Sequence, residues 1–417
     1  MLQPLRNREF RLLWFGETVS LMGDVVYFVA IAWQVYELSN APTALSLVGA
    51  AWTLPTALFL VIGGVVTDRF DRRVVLLCSN LIRAVAIGIL GLLSILGILE
   101  LWHVFVLVAV YGVGEAFFGP VFGAVVPDLV PPEQIVEANA LDQFVRPFAV
   151  RMIGPAVGGL LVAAFGTGQA FMFDAASFVV AAGAAALMRP IPAKVTSEGS
   201  RLKEQIGEGF RFVRAHVWLW GTLCSAGLTL LFFWGPVEVL LPFIIKNELG
   251  GSSSDFGVIL AAGGAGAVIA AIAMGQLGIP RRHITFMYLA WFLAVAPVSL
   301  FGLVTEVWQA MVISAVLGAG ATTGLIVWGT LMHRLVPKEL LGRVTSLDWL
   351  VSISLVPVSY ALTGPIASLV GARETIIGAG ILGGAMTLVF LLLPGMHDTE
   401  KDGRFHGQDK TKASRGS

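Results

Sequence analysis

The chain has 417 residues, of which 56% are hydrophobic and 13% charged, with 27 basic side chains balanced by 27 acidic ones. Soluble domains carry about 25% charged residues, and a water-soluble fold this apolar would expose patches large enough to aggregate. Lipid is therefore the solvent for most of the chain, and a net charge of zero gives nucleic acid no reason to bind.

A helix needs roughly 20 apolar residues to cross about 30 Å of hydrocarbon. Runs of that size occur near 10–36, 43–67, 74–97, 102–126, 138–163 and 168–188. Six more occur near 217–245, 255–278, 284–304, 307–333, 344–370 and 375–394. The first run is too long for a signal-peptide core and has no small-residue cleavage site after it, so no cleaved leader is expected. Most connections are short and rich in turn formers, such as Ser39-Asn40-Ala41-Pro42 and Phe165-Gly166-Thr167-Gly168. The expected fold is all-α and integral to the membrane, with twelve transmembrane helices.

Lys and Arg favour the cytoplasmic side of a bilayer. They cluster at Arg6, Arg8 and Arg11, at Arg69, Arg72 and Arg73, at Arg281 and Arg282, and at Arg334, Lys338 and Arg343. The other side holds only Lys246 and Arg373. Both termini are expected in the cytoplasm. The longest internal connection, 189–216, opens with Pro190 and Pro192 and then becomes amphipathic, with Leu202, Ile206 and Phe210 opposite Lys203, Glu204, Arg211 and Arg214. It reads as an interfacial helix or as an extension of the seventh span. The polar tail 397–417 reads as disordered.

The two halves repeat. Leu129-Val130-Pro131-Pro132-Glu133 returns as Leu335-Val336-Pro337-Lys338-Glu339, and Leu141-Asp142 as Leu347-Asp348, at a constant offset of 206. Gly158 maps to Gly364 and Trp14 to Trp220 at the same offset. A duplicated six-helix unit follows, and transporters rock such halves about a central site. The expected units are residues 1–188 and 217–396, each a six-helix bundle, joined by the linker 189–216.

The second connection reads Gly64-Val65-Val66-Thr67-Asp68-Arg69-Phe70-Asp71-Arg72-Arg73. It resembles the signature loop of the major facilitator superfamily, with Asp71 where glycine is usual. Gly154-Pro155-Ala156-Val157-Gly158-Gly159 is similar to the end of that superfamily's antiporter motif, whose opening glycine is Val150 here. Gly23-Asp24, Phe173-Asp174-Ala175-Ala176-Ser177-Phe178, Gly209-Phe210-Arg211-Phe212-Val213 and the stretch from Val336-Pro337 to Gly342-Arg343 look like the drug:proton antiporter branch, which includes macrolide-efflux and siderophore-export proteins. The resemblance runs from about residue 10 to 394. It implies a bacterial plasma (inner) membrane location, a fold of two pseudo-symmetric bundles, and a cytoplasmic latch at the signature loop.

Physical reasons for a latch stand beside the resemblance. Gly64 permits close approach of another helix, and Asp68 is an anion suited to the N-terminus of the eleventh span. Arg72 could pair with both Asp68 and Asp128, while Arg69 and Arg73 complete the basic cluster. A plain positive-inside anchor is the alternative.

Ionisable groups inside a bilayer are costly and usually mark pathways. Glu17 and Asp24 lie seven apart on one face of the first span, with Ser20 between them. Glu115 sits mid-span with Tyr111, Phe118 and Phe122 on its face, Asp174 lies in the sixth span and Glu238 in the seventh. Arg151 lies deep in the fifth span, whereas Asp142 and Arg146, four apart, suit a structural pair. Asp24, Glu115 and Arg151 form the expected coupling set, and Glu17, Asp174 and Glu238 are further candidates for coupling or substrate contact. A fixed salt bridge or a cavity wall is the alternative for each. Four of the five acids fall in the first half. Gly318-Ala319-Gly320-Ala321 permits close helix packing or a roomy cavity. Tyr111, Phe118, Trp234 and Trp328 could stack on a flat or cationic ligand, or simply pack helices.

The six histidines fall in loops, tails or span ends, and no Cys/His cluster has metal spacing. An enzyme, a metal site and a bound cofactor are not expected, nor is a receptor. The expected function is proton-coupled export of small amphipathic, drug-like molecules by a monomer, with protons as the coupling ion. Export of a siderophore or other metabolite, movement of a lysolipid, and uncoupled facilitation are the alternatives.

Overall fold

The computed structural model describes residues 3–131, 134, 137, 138, 141, 154–191 and 201–401. Among the described residues eleven helical segments are long and apolar enough to cross a membrane, and there is no strand. The first four are α1 (Arg8–Leu38), α2 (Pro42–Arg69), α3 (Arg72–Ile95) and α4 (Leu101–Leu129). A shorter apolar helix, α5 (Gly154–Phe165), is the described part of the fifth expected span, and α6 (Thr167–Leu187) follows it. A linker helix, Arg201–Ala215, precedes α7 (Val217–Glu248), α8 (Ser253–Leu277) and α9 (His283–Leu303). The last three are α10 (Val307–Leu335), α11 (Lys338–Ser354 continued by Val356–Val370) and α12 (Ala372–Leu391).

Local chemistry sets several of these boundaries. Asn7 caps α1 by accepting from the backbone N–H groups of Glu9 (2.9 Å) and Phe10 (3.4 Å). Asp71 caps α3 by accepting from the Arg73 N–H at 2.9 Å, and it also takes the Ile191 N–H at 3.1 Å. That second bond ties the α2–α3 turn to the end of α6, and it explains why an aspartate serves where the signature loop usually has glycine. Ser252 and Asp255 close a reciprocal capping box at α8. His216 adopts extended backbone and separates the linker helix from α7. The linker helix instead docks on α11, where Glu208 pairs with Arg343 and Gly209 lies against Arg343. A short helix at Asp398–Lys401 begins the expected tail, and its Glu400 accepts from the Thr285 N–H at 2.9 Å.

Outward faces carry large apolar side chains such as Leu58, Leu160, Leu277, Leu369 and Leu392. In hydrocarbon these side chains are at home, while the helices satisfy their own backbone groups. Within the first half, α1 and α3 pack on α6, and α2 packs on α4. Within the second, α8 and α9 pack on α10, and α12 packs on α9.

The halves meet along two seams, α2 with α11 and α5 with α8. The offset of 206 carries α2 onto α8 and α5 onto α11, so the seams are copies of one another. Glycines make both possible. A Cβ on Gly364 would run into Thr43 and Ser46 of α2, and one on Gly257 would run into the Pro155 carbonyl of α5. The consecutive glycines of α5 divide the work: Gly158 lies against Val26 of α1, and Gly159 against Ser253 and Gly257 across the seam. Small residues let helix backbones approach where lipid offers no hydrophobic drive.

Both seams are closed at the end bearing the α1–α2 turn. There Ser46 donates to the Tyr360 carbonyl and accepts the Gly364 N–H at 2.9 Å. Tyr36 donates to the Val239 carbonyl at 2.6 Å, and Lys246 sits 5.3 Å from the Trp33 ring centre. Toward the opposite, arginine-rich end, a Cβ on Gly64 would meet nothing within 4 Å among the described residues.

A bulky side chain at a seam glycine should therefore cost stability. Gly257→Leu forces the α5/α8 backbones apart, an overpacking penalty of about 1–3 kcal/mol. The thermal midpoint of the purified protein is expected to fall by several degrees. Gly275→Leu, whose Cβ would meet nothing within 4 Å among the described residues, is expected to leave it unchanged in the same size-exclusion thermal assay.

Candidate functional site

The first half holds a buried ionic cluster. Its centre is Arg83 on α3, 1% exposed, which pairs with Glu115 of α4 at 3.0 Å and donates to Asn80 Oδ1 at 2.7 Å. The rings of Phe118 and Phe178 flank the guanidinium, with centres 4.3 and 4.4 Å away. A planar delocalised cation suits such an aromatic sandwich. Asn80 extends the network by donating to Glu17 at 3.4 Å.

The other acids approach from α1 and α6. Asp24 accepts from the Tyr111 hydroxyl at 2.9 Å, and Tyr111 stacks on Tyr27 with ring centres 5.1 Å apart. Asp174 is wholly buried, and its neighbour Ser177 lies 3.3 Å from Oδ1. Among the described residues its Oδ2 has no hydrogen-bond partner, and neither has Arg83 Nε. Gly23 makes the meeting possible, because a Cβ there would collide with Ser177 and Asp174. Asp24 and Glu115 are close enough for their charge to act on Asp174, and Arg83 opposes them there.

The structure thus brings Glu17, Asp24, Glu115 and Asp174 together, with Tyr111 and Phe118 as their packing partners. The expected basic partner Arg151 lies outside the described residues, as do Asp142 and Arg146. Arg83 was not among the sequence candidates. Its signal was plain, an arginine in the middle of an apolar run. Asp348 was likewise uncounted; this acid of α11 accepts from Trp328 Nε1 at 3.0 Å.

The aromatic candidates separate. Trp328 packs in the core of the second half against Trp218 and Trp291, while Trp234 is exposed beside Phe233. Neither lines the cavity that Glu238 faces. That cavity, of ≈ 40 Å³, lies between the halves among α1, α2, α4, α7 and α11.

At the arginine-rich end, Arg72 is buried, pairs with Asp128 of α4 and donates to the Ala124 carbonyl at 3.0 Å. Arg73 donates to the Ala186 carbonyl of α6 at 2.5 Å. Asp68 and Arg69 are exposed. The signature loop in this conformation binds α3 to its own half. Among the described residues no group of His, Cys, Asp and Glu could hold a metal ion.

Apolar spans in two seam-joined halves, with a charged network sealed inside one of them, define a membrane transporter of the major facilitator type. The profile of the family described as transmembrane secretion effector matches residues 1–415, and the chain belongs to that family. It is a multi-pass protein of the bacterial inner membrane and a transporter, not an enzyme. It is similar to macrolide efflux protein A of Streptococcus pyogenes, 25% identical over 379 residues, covering 90% of this chain and 93% of that one. It is also similar to the enterobactin exporter EntS of Shigella boydii, 26% identical over 404 residues and 94% of each chain. Among solved structures, an inward-facing bacterial homologue of the iron transporter ferroportin superposes with a TM-score of 0.67 at 17% identity, covering 93% of this chain and 99% of that one.

The Arg83–Glu115 pair can be tested as a unit. Removing one partner of a buried pair leaves an uncompensated charge, which costs roughly 3 kcal/mol or somewhat less here because Glu115 is about a third exposed. Arg83→Met is therefore expected to lower the thermal midpoint sharply. The double variant Arg83→Met/Glu115→Gln is expected to recover much of the loss, and additive losses in this double-mutant cycle would disprove the coupling.

Proposed function

We propose that this protein exports amphipathic, drug-like molecules from the cytoplasm in exchange for protons, by alternating access. The buried cluster carries this reading. Among the described residues three carboxylates, Asp24, Glu115 and Asp174, gather around the single guanidinium of Arg83. Charge that cannot be shed into water favours uptake of a neutralising proton. The cluster also has the parts for a partner exchange. A proton arriving on Glu115 frees Arg83, and the unpartnered Asp174 Oδ2 and Arg83 Nε are the groups that could then join. Such a swap shifts α3, α4 and α6 relative to α1 and so couples protonation to the rocking of the halves.

Direction follows from the two ends of the molecule. The closed end carries few basic residues, whereas the opposite end carries Arg69, Arg72, Arg73, Arg281, Arg282, Arg334 and Arg343. By the positive-inside rule the latter faces the cytoplasm. The conformation then has its outer gate shut and its signature loop unlatched from the second half, ready to receive substrate from inside. Similarity to a macrolide efflux protein supports a bulky amphipathic substrate. Similarity to an enterobactin exporter favours a second reading, export of a secreted metabolite by the same cycle.

Dye efflux from cells tests both parts. Cells expressing the wild type are expected to export a fluorescent lipophilic cation, and a protonophore is expected to abolish that export. Asp24→Asn is expected to reduce efflux at least about tenfold at equal membrane expression, a bound set below the roughly hundredfold or more that loss of a proton-transfer group typically costs. Efflux no greater than the empty-vector control would move the dedicated metabolite exporter to first place. Efflux indifferent to the protonophore and to Asp24 would leave an uncoupled facilitator.

A further inference from the structure

Span α7 is not a regular helix. After Leu231 the chain turns, and Pro236–Leu240 and Ile244–Glu248 are wound as π-helix. The cause lies in α11. Ser359 inserts its hydroxyl into the α7 ladder, donating to the Leu231 carbonyl at 2.5 Å and accepting the Gly235 N–H at 2.8 Å. These two groups would bond each other in an unbroken α-helix. Gly235 admits the intrusion, since a Cβ there would collide with the Ser359 carbonyl. Pro236 supplies no N–H to rebuild the turn. An inserted side chain accounts for a break of this kind, and π-turns occur frequently at functional sites.

The break presents Glu238 to the cavity between the halves. Tyr27 and Phe28 of α1, Trp52 of α2 and Tyr360 of α11 form the surrounding wall. Phe28 and Trp52 meet edge to face with centres 5.3 Å apart. Among the described residues Glu238 has neither an ion-pair partner nor a hydrogen-bond donor. The nearest cation along α7 is Lys246, which is two turns further on and engaged over Trp33. The cavity therefore combines a carboxylate that is unpaired among the described residues with four aromatic rings. Its ≈ 40 Å³ admits a few waters or one small alkylammonium group, not a whole drug.

We propose that this cavity is a subsite for the cationic head of the transported molecule, taking a methylated or free ammonium group against Glu238 and the rings of Phe28 and Trp52. The inference rests on the export reading for its place in a transport cycle, and it deepens that reading by specifying charge. Aromatic faces attract ammonium groups electrostatically, most strongly when water is excluded. The subsite lies just inside the closed outer gate. Tyr27 is shared between its wall and the stack that reaches Asp24 through Tyr111. A cation seated there is in register to sense the charge of the proton-binding cluster and to leave when the gate beside Ser46 and Gly364 parts.

Binding to the purified full-length protein in lipid nanodiscs tests the subsite without requiring transport. The probes are a dansyl amide ending in a trimethylammonium group and its neutral tert-butyl isostere, which differ only in charge. The wild type is expected to bind the cation about tenfold more tightly than the isostere. Glu238→Gln is expected to abolish that preference while leaving isostere binding unchanged, which also certifies its fold. Phe28→Leu keeps the carboxylate and is expected to reduce the preference several-fold. A wild type that binds the two probes equally, or a Glu238→Gln protein that keeps the preference, overturns the proposal. A charge preference lost in Glu238→Gln, in a wild type that exports no dye from cells, supports the subsite and counts against the export reading alone.

Discussion

Inside the hydrocarbon core a charge or a backbone polar group cannot turn to water, so it must find its partner in the protein. Several departures from a plain apolar helix among the described residues answer to that constraint. Arg83 is tolerable because a carboxylate, an amide and two aromatic rings surround it. The broken bond in α7 is tolerable because Ser359 satisfies both of its ends. Even the signature loop follows the rule, for Arg72 enters the protein only by pairing with Asp128 and the Ala124 carbonyl.

The same constraint separates labour between the halves. The first half concentrates its ionisable groups in one cluster reached from α1, α3, α4 and α6. The second half is held by apolar and aromatic packing, as in the Trp218, Trp291 and Trp328 group, with Asp348 quenched by the Trp328 indole. Glu238 is the exception, and it faces the interface, not the core of its own half. In the proposed cycle the proton-binding cluster and the ligand's charge would lie on opposite sides of Tyr27, which lines the cavity and stacks on Tyr111. Coupling between them needs no long path, only a change in how the halves meet.

The seams give that movement its geometry. Gly159, Gly257 and Gly364 allow backbone contact at the closed end, where Tyr36 and Lys246 add side-chain contacts across the halves. At the other end a Cβ on Gly64 would meet nothing within 4 Å among the described residues, although its loop has the residues for a close approach. A latch that engages in only one state is expected to look idle in the other.

Much of this was legible from residue order alone. Apolar run lengths marked the spans, because bilayer thickness sets a minimum that few soluble segments meet. Arginine asymmetry, the repeat at an offset of 206 and the Asp-Arg and Gly-Pro motifs pointed to the transporter class. The acids Asp24, Glu115 and Asp174 stood out because hydrocarbon makes any charge conspicuous. Which of them meet was decided by tertiary structure, since that depends on how α1, α3, α4 and α6 rotate about their axes. Tyr27, Trp52 and Tyr360 are ordinary packing residues in one dimension and become a cavity wall only when α1, α2 and α11 converge. The turn of Glu238 toward that wall was likewise hidden, because it follows from a serine 121 residues away entering the α7 ladder. Spacing along one helix is written in the sequence, but contacts between helices are set by packing, and packing placed the candidate site.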